Sequence, residues 1–435
     1  MKKNITIYLL LALACLGLQS CLFQEENYFD DSSANRATAD VKRCSELLEA
    51  APNGWVMEYY VGKDYSLGGI TLLCKFDGQR VTMASQIAGA DETVSSLYSV
   101  KSEQATMLSF DTYNYLVHYF GQPQGSMADD PNGTLGGDYE FVISDATADR
   151  IELKGKKYGN RIVMKAFSAD QTWKQYLTRI KKVEDDAFFY EYDLRMDGLY
   201  TGQMLRSNYT FIVTYYDEVG KVHQKTVPFM FTTDGMRFHE PVTIDGQTMQ
   251  NFVWKNEEIS FVCTDEGATG VKMKGIYIDG YQSYDYYPGT YLMDFYRLNG
   301  ATNQLEVASQ EIQLVKDEDG KSYWLKGLEY DILVTYDKPR GGLSILPQFL
   351  KKVQGGYVYL AMWDLMNDYV LRSSAIGLIS YPTTDGIYLV DNGVWMGEIS
   401  GFIFGVYDSQ DEEASFMGYT DAVAAIRLIK KTIEE

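Results

Sequence analysis

Histidine, cysteine and positive charge are all scarce in this chain. It has 435 residues with 3 His, 5 Cys and 39 Lys+Arg against 60 Asp+Glu, for a formal net charge of -21. Affinity for nucleic acid comes mainly from Lys and Arg displacing counterions from phosphates, so no nucleic-acid partner is expected. Docking on anionic lipid through a basic face is excluded for the same reason. Zinc sites need closely grouped ligands, whereas His118, His223 and His239 stand far apart, with no His-Glu-x-x-His and no Cys-x-x-Cys. Beyond the first twenty residues no run approaches 18 consecutive apolar residues, so no spanning helix is expected. What is present is an apolar fraction of 46%, ample for real cores, over a length that suits two or three domains.

The amino terminus sets the expected address. Met1-Lys2-Lys3-Asn4 is a short positive region, and Ile5 to Leu18 is an almost unbroken apolar stretch, too short to span a bilayer. Leu18-Gln19-Ser20-Cys21 then resembles the bacterial lipobox, in which the cysteine thiol takes a diacylglycerol, the signal is cut before it and the new amino terminus is acylated. Residues 1–20 are thus expected to be a lipoprotein signal peptide and Cys21 a lipidation site. Several acyl chains on one cysteine anchor stably without a transmembrane helix. Loss of Lys2 and Lys3 with the signal takes the net charge from -21 to -23. Residues 21–32 read as a tether, and Glu25, Glu26, Asp30 and Asp31 resemble the acidic export stretch of Bacteroidota surface lipoproteins. The expected location is the outer membrane, lipid-anchored and facing the exterior; a periplasm-facing anchor is the alternative. Cys44, Cys74 and Cys263 remain, enough for one bridge at most, so folding must rest on the core.

Past the tether the dominant signal is β. Ser33 to Ala50 is an exception, with Val41, Cys44, Leu47, Leu48 and Ala51 at three- and four-residue steps of an amphipathic helix. Short aromatic and β-branched runs bounded by Gly, Asp and Asn then follow, from Trp55–Val61 and Gly69–Phe76 onward, with Asp77-Gly78 as a hairpin turn. Helices are predicted over 111–120, capped by Asp111, over 167–182, and over 420–435, where Val423, Ile426, Leu428, Ile429 and Ile433 recur. Residues 341–353 read as a loop, and 357–371 fit either strand or helix. The expected fold is mainly β with a minor α+β character: antiparallel sandwich or barrel-like domains with a few peripheral helices. Two such domains are expected, 33–200 and 201–435.

Several stretches carry a family resemblance. Pro52-Asn53-Gly54-Trp55, Tyr59-Tyr60, Gly68-Gly69 and Lys75-Phe76 come first. Phe110 to Asn114, His118-Tyr119-Phe120, Gly136 to Phe141, Leu153 to Lys157, Asn160-Arg161, Trp173 and Tyr176 follow. Together they resemble an uncharacterised family of Bacteroidota surface lipoproteins, domain of unknown function 4302, over roughly residues 33 to 200. The resemblance implies an accessory subunit of a starch-utilisation-type importer, whose partners would be a TonB-dependent transporter and its lid lipoprotein, and whose ligand would be a peptide or glycan. It brings no catalytic residues and no cofactor.

The residues themselves offer little chemistry. There is no Gly-x-Ser-x-Gly elbow and no phosphate-binding Gly-rich loop. Cys44 and Cys74 read as small buried hydrophobes. The acidic loops Asp129 to Gly133 and Asp408 to Glu413 lack calcium-loop spacing, and no metal site is expected. A carboxylate pair for glycoside cleavage would leave no sequence signature, so a surface glycoside hydrolase is kept as an alternative to binding; a structural adhesin or pilus-type subunit is another. The most suggestive feature is tyrosine, 35 residues of it. Between residues 277 and 296, Tyr281, Tyr284, Tyr286, Tyr287 and Tyr291 stand near Gly280, Pro288 and Gly289. Displayed on a loop, they would offer flat faces with hydroxyl rims to a sugar or peptide; folded on a strand, they would simply fill a sandwich.

Overall fold

The computed structural model describes residues 32–123, 133–217, 219–411 and 413–431. The signal peptide, Cys21, the tether up to residue 31, and Asp129 to Asn132 of the first acidic loop lie outside the described residues. Among the described residues, no helix is long and apolar enough to cross a membrane. The chain divides into two compact units, one from residues up to 186 with 194–273, the other from residues 187–193 with 274 onward.

The architecture is mostly antiparallel β, as expected. After α1 (Ser33–Ala50), a first closed barrel runs in chain order through β1 (Trp55–Val61), β2 (Gly68–Asp77), β3 (Arg80–Ser85), β4 (Val94–Ser102), β5 (Thr106–Phe110), β6 (Glu140–Ala146), β7 (Arg150–Gly155) and β8 (Arg161–Ala166). The short α2 (Tyr115–His118) interrupts it, and α3 (Trp173–Asp186) follows it. A second closed barrel comprises β9 (Glu191–Met196), β10 (Leu199–Ser207), β11 (Thr210–Tyr216), β12 (Val222–Phe231), β13 (Gly235–Ile244), β14 (Gln247–Lys255), β15 (Ser260–Cys263) and β16 (Val271–Ile276). Closure pairs every edge strand and removes the exposed edges that invite aggregation.

The rest of the chain forms one twelve-stranded sheet. Its strands are β17 (Gly289–Asn299), β18 (Gln304–Lys316), β19 (Ser322–Lys326), β20 (Ile332–Asp337), β21 (Gly342–Ile345), β22 (Gln348–Val353), β23 (Gly356–Asp364), β24 (Tyr369–Leu371), β25 (Leu378–Thr383), β26 (Gly386–Asp391), β27 (Gly401–Tyr407) and β28 (Phe416–Lys430). Their order is β17-β18-β19-β20-β21-β25-β26-β28-β27-β23-β22, with β24 on β23, and β17 also pairs with β28. Leu428 has Met293 beside it on one side and Ile387 on the other, so eight of the twelve strands return on themselves as a third ring.

Alternation explains how the first barrel is filled. Along β1, Trp55, Met57 and Tyr59 are fully buried inside, which turns Glu58 and Tyr60 to the outer face. Helix α1, capped by the Ser32 side chain accepting from Asn35 N, drives Cys44 and Leu48 into the same core, where Trp55 Nε1 donates to Leu48 O at 2.9 Å. Three stretches of the family resemblance meet here. Asp138 N donates to Tyr59 Oη at 2.7 Å, and the Asp138 carboxylate accepts Lys157 N at 2.7 Å and Tyr158 N at 3.1 Å. A side chain at Gly155 would collide with that carboxylate, its Cβ falling 2.0 Å from Asp138 Oδ2. These motif residues are therefore structural.

Three local expectations are corrected. Residues 420–435 do not begin a helix; up to Lys430 they belong to β28. A bulge at Ala425, with φ 51, breaks the two-residue alternation, so that Val423, Ile426 and Leu428 are buried at spacings that imitate a helical face. Residues 342–345 and 348–353 are strands, made so by pairing with β20, β25 and β23 rather than by local propensity. The helix expected from Asp111 is the single turn α2, capped instead by Asn114, whose side chain accepts from Leu116 N. The segment 357–371 resolves as β23 and β24. The expected domain boundary at residue 200 falls inside β10, and residues 201–435 carry strands of two sheets.

Candidate functional site

The tyrosine segment turns out to be mainly structural. Tyr287 and Tyr291 are 0% exposed in the core of the third sheet, where Tyr287 Oη donates to Gly341 O at 2.9 Å and Tyr291 Oη to Tyr287 O at 2.7 Å. Neither can meet a ligand, which corrects the loop expectation for both. Tyr284 stacks on Tyr323 at 4.7 Å and donates to Ser322 O. Tyr281 is half-buried, within 3.0 Å of the Tyr336 hydroxyl and stacked on Phe188. Tyr286 alone is exposed, with Lys430 Nζ 5.0 Å above its ring. Four of the five rings are thus used in packing: Tyr291 by the inward alternation of the strand starting at Gly289, and Tyr281, Tyr284 and Tyr287 by hydrogen bonds that fold the preceding loop onto the sheet.

A different site lies in the first compact unit, where strands of the two closed barrels face each other. Two glycines permit the approach. At Gly68, with φ +70, a Cβ would fall 2.0 Å from Tyr209 O; at Gly69 it would fall 2.7 Å from Tyr60 Cε1 and 3.0 Å from Met230 Cβ. Beside this contact opens a cleft of ≈ 480 Å³, within the usual size range of ligand sites. Its first wall is the outer face of β1, β8 and β7, which offers Glu58, Tyr60, Arg161, Val163, Lys165 and Arg150; its second is Arg237, His239 and Glu240 of β13 with Gln250 and Asn251 of β14.

Charge organises the floor. Glu58 Oε2 lies 2.5 Å from Arg237 Nη2 and Glu58 Oε1 2.8 Å from Lys165 Nζ. Burial pushes the Glu58 pKa up, but the two cations outweigh it and hold the carboxyl below its ordinary range. Farther along the same face, Glu152 is shared between Arg150 at 3.0 Å and Arg161 at 3.5 Å. Each carboxylate is therefore outnumbered two to one by cations.

Aromatic rings form the inner wall. The His239 ring lies 4.3 Å from that of Tyr60 and 4.1 Å from that of Tyr65. Burial, reinforced by Arg237 and Arg161 against Glu240, lowers the His239 pKa, so the imidazole is neutral at pH 7. Tyr60 is 4% exposed, and its hydroxyl makes no hydrogen bond of good geometry. Tyr65 is held at φ 59 directly after Asp64 at φ 53, in a left-handed conformation that is unfavourable for a bulky residue. It also lines a second depression of ≈ 350 Å³ with Glu152, Lys154 and Arg161.

The remaining candidates are inert in this arrangement. Cys44, Cys74 and Cys263 are free and buried, and desolvation raises all three thiols, that of Cys263 to about 11. His118 stacks on Tyr139, and His223 pairs with Asp217 at 2.9 Å. Among the described residues no group of three or more His, Cys, Asp or Glu could hold a metal ion. The cleft itself was missed in the sequence, although Tyr60, Gly68, Gly69, Lys154 and Arg161 stand in the stretches that carry the family resemblance. Arg150, Glu152 and Lys154, with Arg161 and Lys165, also recur at the two-residue period that puts charge on one strand face.

Fold and cleft together define a multi-barrel β-protein with an interbarrel groove. The chain belongs to the family described as a domain of unknown function (DUF4302), whose model matches residues 25–256; residues 264–403 match a second domain of unknown function, DUF4987. No curated protein matches the sequence. Two solved structures are similar at a low level. One is a protein of unknown function of the DUF3598 family from Nostoc punctiforme, at 8% identity, covering 57% of this chain and 98% of its own, with a TM-score of 0.15. The other is a mutant of the vaccine antigen transferrin-binding protein B from Haemophilus parasuis, at 10% identity, covering 84% and 67%, with a TM-score of 0.11. Likeness at that level carries no argument here.

Proposed function

We propose that the mature protein is a lipid-anchored binding subunit at the surface of a Bacteroidota cell, tied to the outer membrane through Cys21, that captures a glycan or peptide for a TonB-dependent importer of the starch-utilisation type. The lipobox-like Leu18 to Cys21 and the acids of the tether support the address. The observation that carries binding over turnover is the pairing of Glu58, the more buried of the two cleft carboxylates; the other is Glu240 on the facing wall. Glu58 is paired with two cations that favour its ionised form, so it is poorly suited to protonate a leaving group, which a glycosidase acid must do.

Two measurements test this reading. The native protein, extracted in mild detergent, should co-purify with a TonB-dependent transporter and its lid lipoprotein; absence of any such transporter sinks the importer role. Cys21→Ser should abolish acyl labelling and release the protein from the membrane fraction. Turnover of glycans or peptides that is lost on substitution of Glu58 would replace binding with hydrolysis.

A further inference from the structure

Resting on that reading of the cleft as the capture site, we propose that its ligand is an acidic saccharide, with a ring carboxylate bound by Arg161 and a sugar face laid on Tyr65.

The charge argument comes first. Across the cleft and the adjoining depression, Arg150, Lys154, Arg161, Lys165 and Arg237 meet only Glu58, Glu152 and Glu240, an excess of two positive charges. The chain as a whole runs the other way, with 60 acids to 39 bases. A cationic groove within an acidic body attracts anionic groups locally, against the field of the rest of the chain. Of the two cation pairs, the one on Glu58 is the more buried and is closed at 2.5 and 2.8 Å. The pair on Glu152 is open: Arg161 is the longer contact at 3.5 Å, and its side chain is 75% exposed. A guanidinium so placed can turn its planar fork onto an incoming carboxylate while Arg150 keeps Glu152.

The aromatic wall supplies the second half. Tyr65 stands between the two depressions and lines both, so a chain of linked rings running from one to the other crosses its face. The left-handed backbone that carries it is the kind of strain that persists at ligand sites. Tyr60 adds a buried hydroxyl that makes no well-aligned hydrogen bond, only a poorly aligned approach to Arg237, in a residue that lines the cleft, a group that a sugar hydroxyl can satisfy. A peptide fits less well. Val163 is the only aliphatic residue lining the cleft, so there is no pocket for apolar side chains, whereas Gln250, Asn251 and Glu240 offer the polar rim that a saccharide uses.

Titration calorimetry on the full mature protein in detergent tests the proposal, with an oligouronate, the neutral oligosaccharide of the same linkage, and an acidic peptide as probes. The oligouronate should bind, with the neutral analogue at least about tenfold weaker, and Arg161→Gln should cost about tenfold, the loss of one charge-assisted contact. Tyr65→Gly is the sharper variant. Glycine relieves the positive φ, so the melting temperature should rise while oligouronate affinity falls; Tyr65→Phe should retain affinity. No binding of the oligouronate, equal binding of its neutral analogue, tighter binding of the peptide, or unchanged affinity in Tyr65→Gly would each overturn the assignment. Transporter co-purification is read separately. Its loss with oligouronate binding intact rejects the importer, and the converse rejects only the ligand class.

Discussion

The tyrosines of residues 281–291 and the pair Tyr60–Tyr65 are alike in composition and opposite in use. In the first group Tyr284, Tyr287 and Tyr291 each spend their hydroxyl on a backbone carbonyl, and two of the rings are fully buried. In the second, one hydroxyl has no well-aligned hydrogen bond and the other ring is held on strained backbone at the mouth of a charged cleft. Satisfied polar groups build a core, and unsatisfied ones beside open space mark a place where something is still to be bound. Density of tyrosine points to neither.

The comparison breaks most visibly under truncation. Tyr287→Ala should cost about 3–5 kcal/mol, because it empties a fully buried ring site and leaves Gly341 O with only the longer bond from Gln282 N, whereas Tyr65→Ala should stay within about 0.5 kcal/mol. Chemical denaturation of both variants reads the contrast, and comparable losses would erase it.

Next in size is the cleft floor. Glu58→Ala should cost about 2 kcal/mol, since it leaves Arg237 partly buried without its counter-ion, with a discount because Lys165 is half exposed. Equilibrium unfolding measures this; no loss would mean that the ion cluster is ornamental.

The same residue sets an acid dependence. The folded pKa of Glu58 lies below its ordinary 4.5, so the unfolded chain takes up the proton more readily. Its contribution is complete above pH 4.5 and is lost as pH falls through the depressed folded value. His239, lowered from 6.5 by burial, adds a loss that begins below pH 6.5. Thermal melts from pH 7 to 3 should therefore decline in two stages, and Glu58→Gln should flatten the lower one.

The smallest effect is the most pointed. Tyr60→Phe removes a buried hydroxyl that makes no well-aligned hydrogen bond, so stability should hold or rise by up to about 1 kcal/mol. The equivalent change at Tyr287 should lower it by about 1 kcal/mol, because there a hydrogen bond is lost.

Much of the fold was legible. Two-residue alternation in β1 and β7, the Asp77-Gly78 turn and the α1 periodicity each depend on near neighbours and need no tertiary knowledge. Where reading failed, a distant partner was responsible. The bulge at Ala425 disguised a strand as a helical face, and β21 and β22 exist because other strands pair with them. The site was less legible than the fold. Glu58 and Arg237 are 179 positions apart, and nothing local to either announces the other.

By itself the sequence determined the β-rich class, the acidic character, the family and the lipobox-like terminus, because each is written in composition or in residues only a few positions apart. Only the tertiary structure decided that the tyrosines of 281–291 close a core and that Arg150, Arg161 and Arg237 share a groove with Tyr65. That outcome depends on barrel closure and on two glycines letting backbones touch, and both are properties of chain segments that meet only once folded.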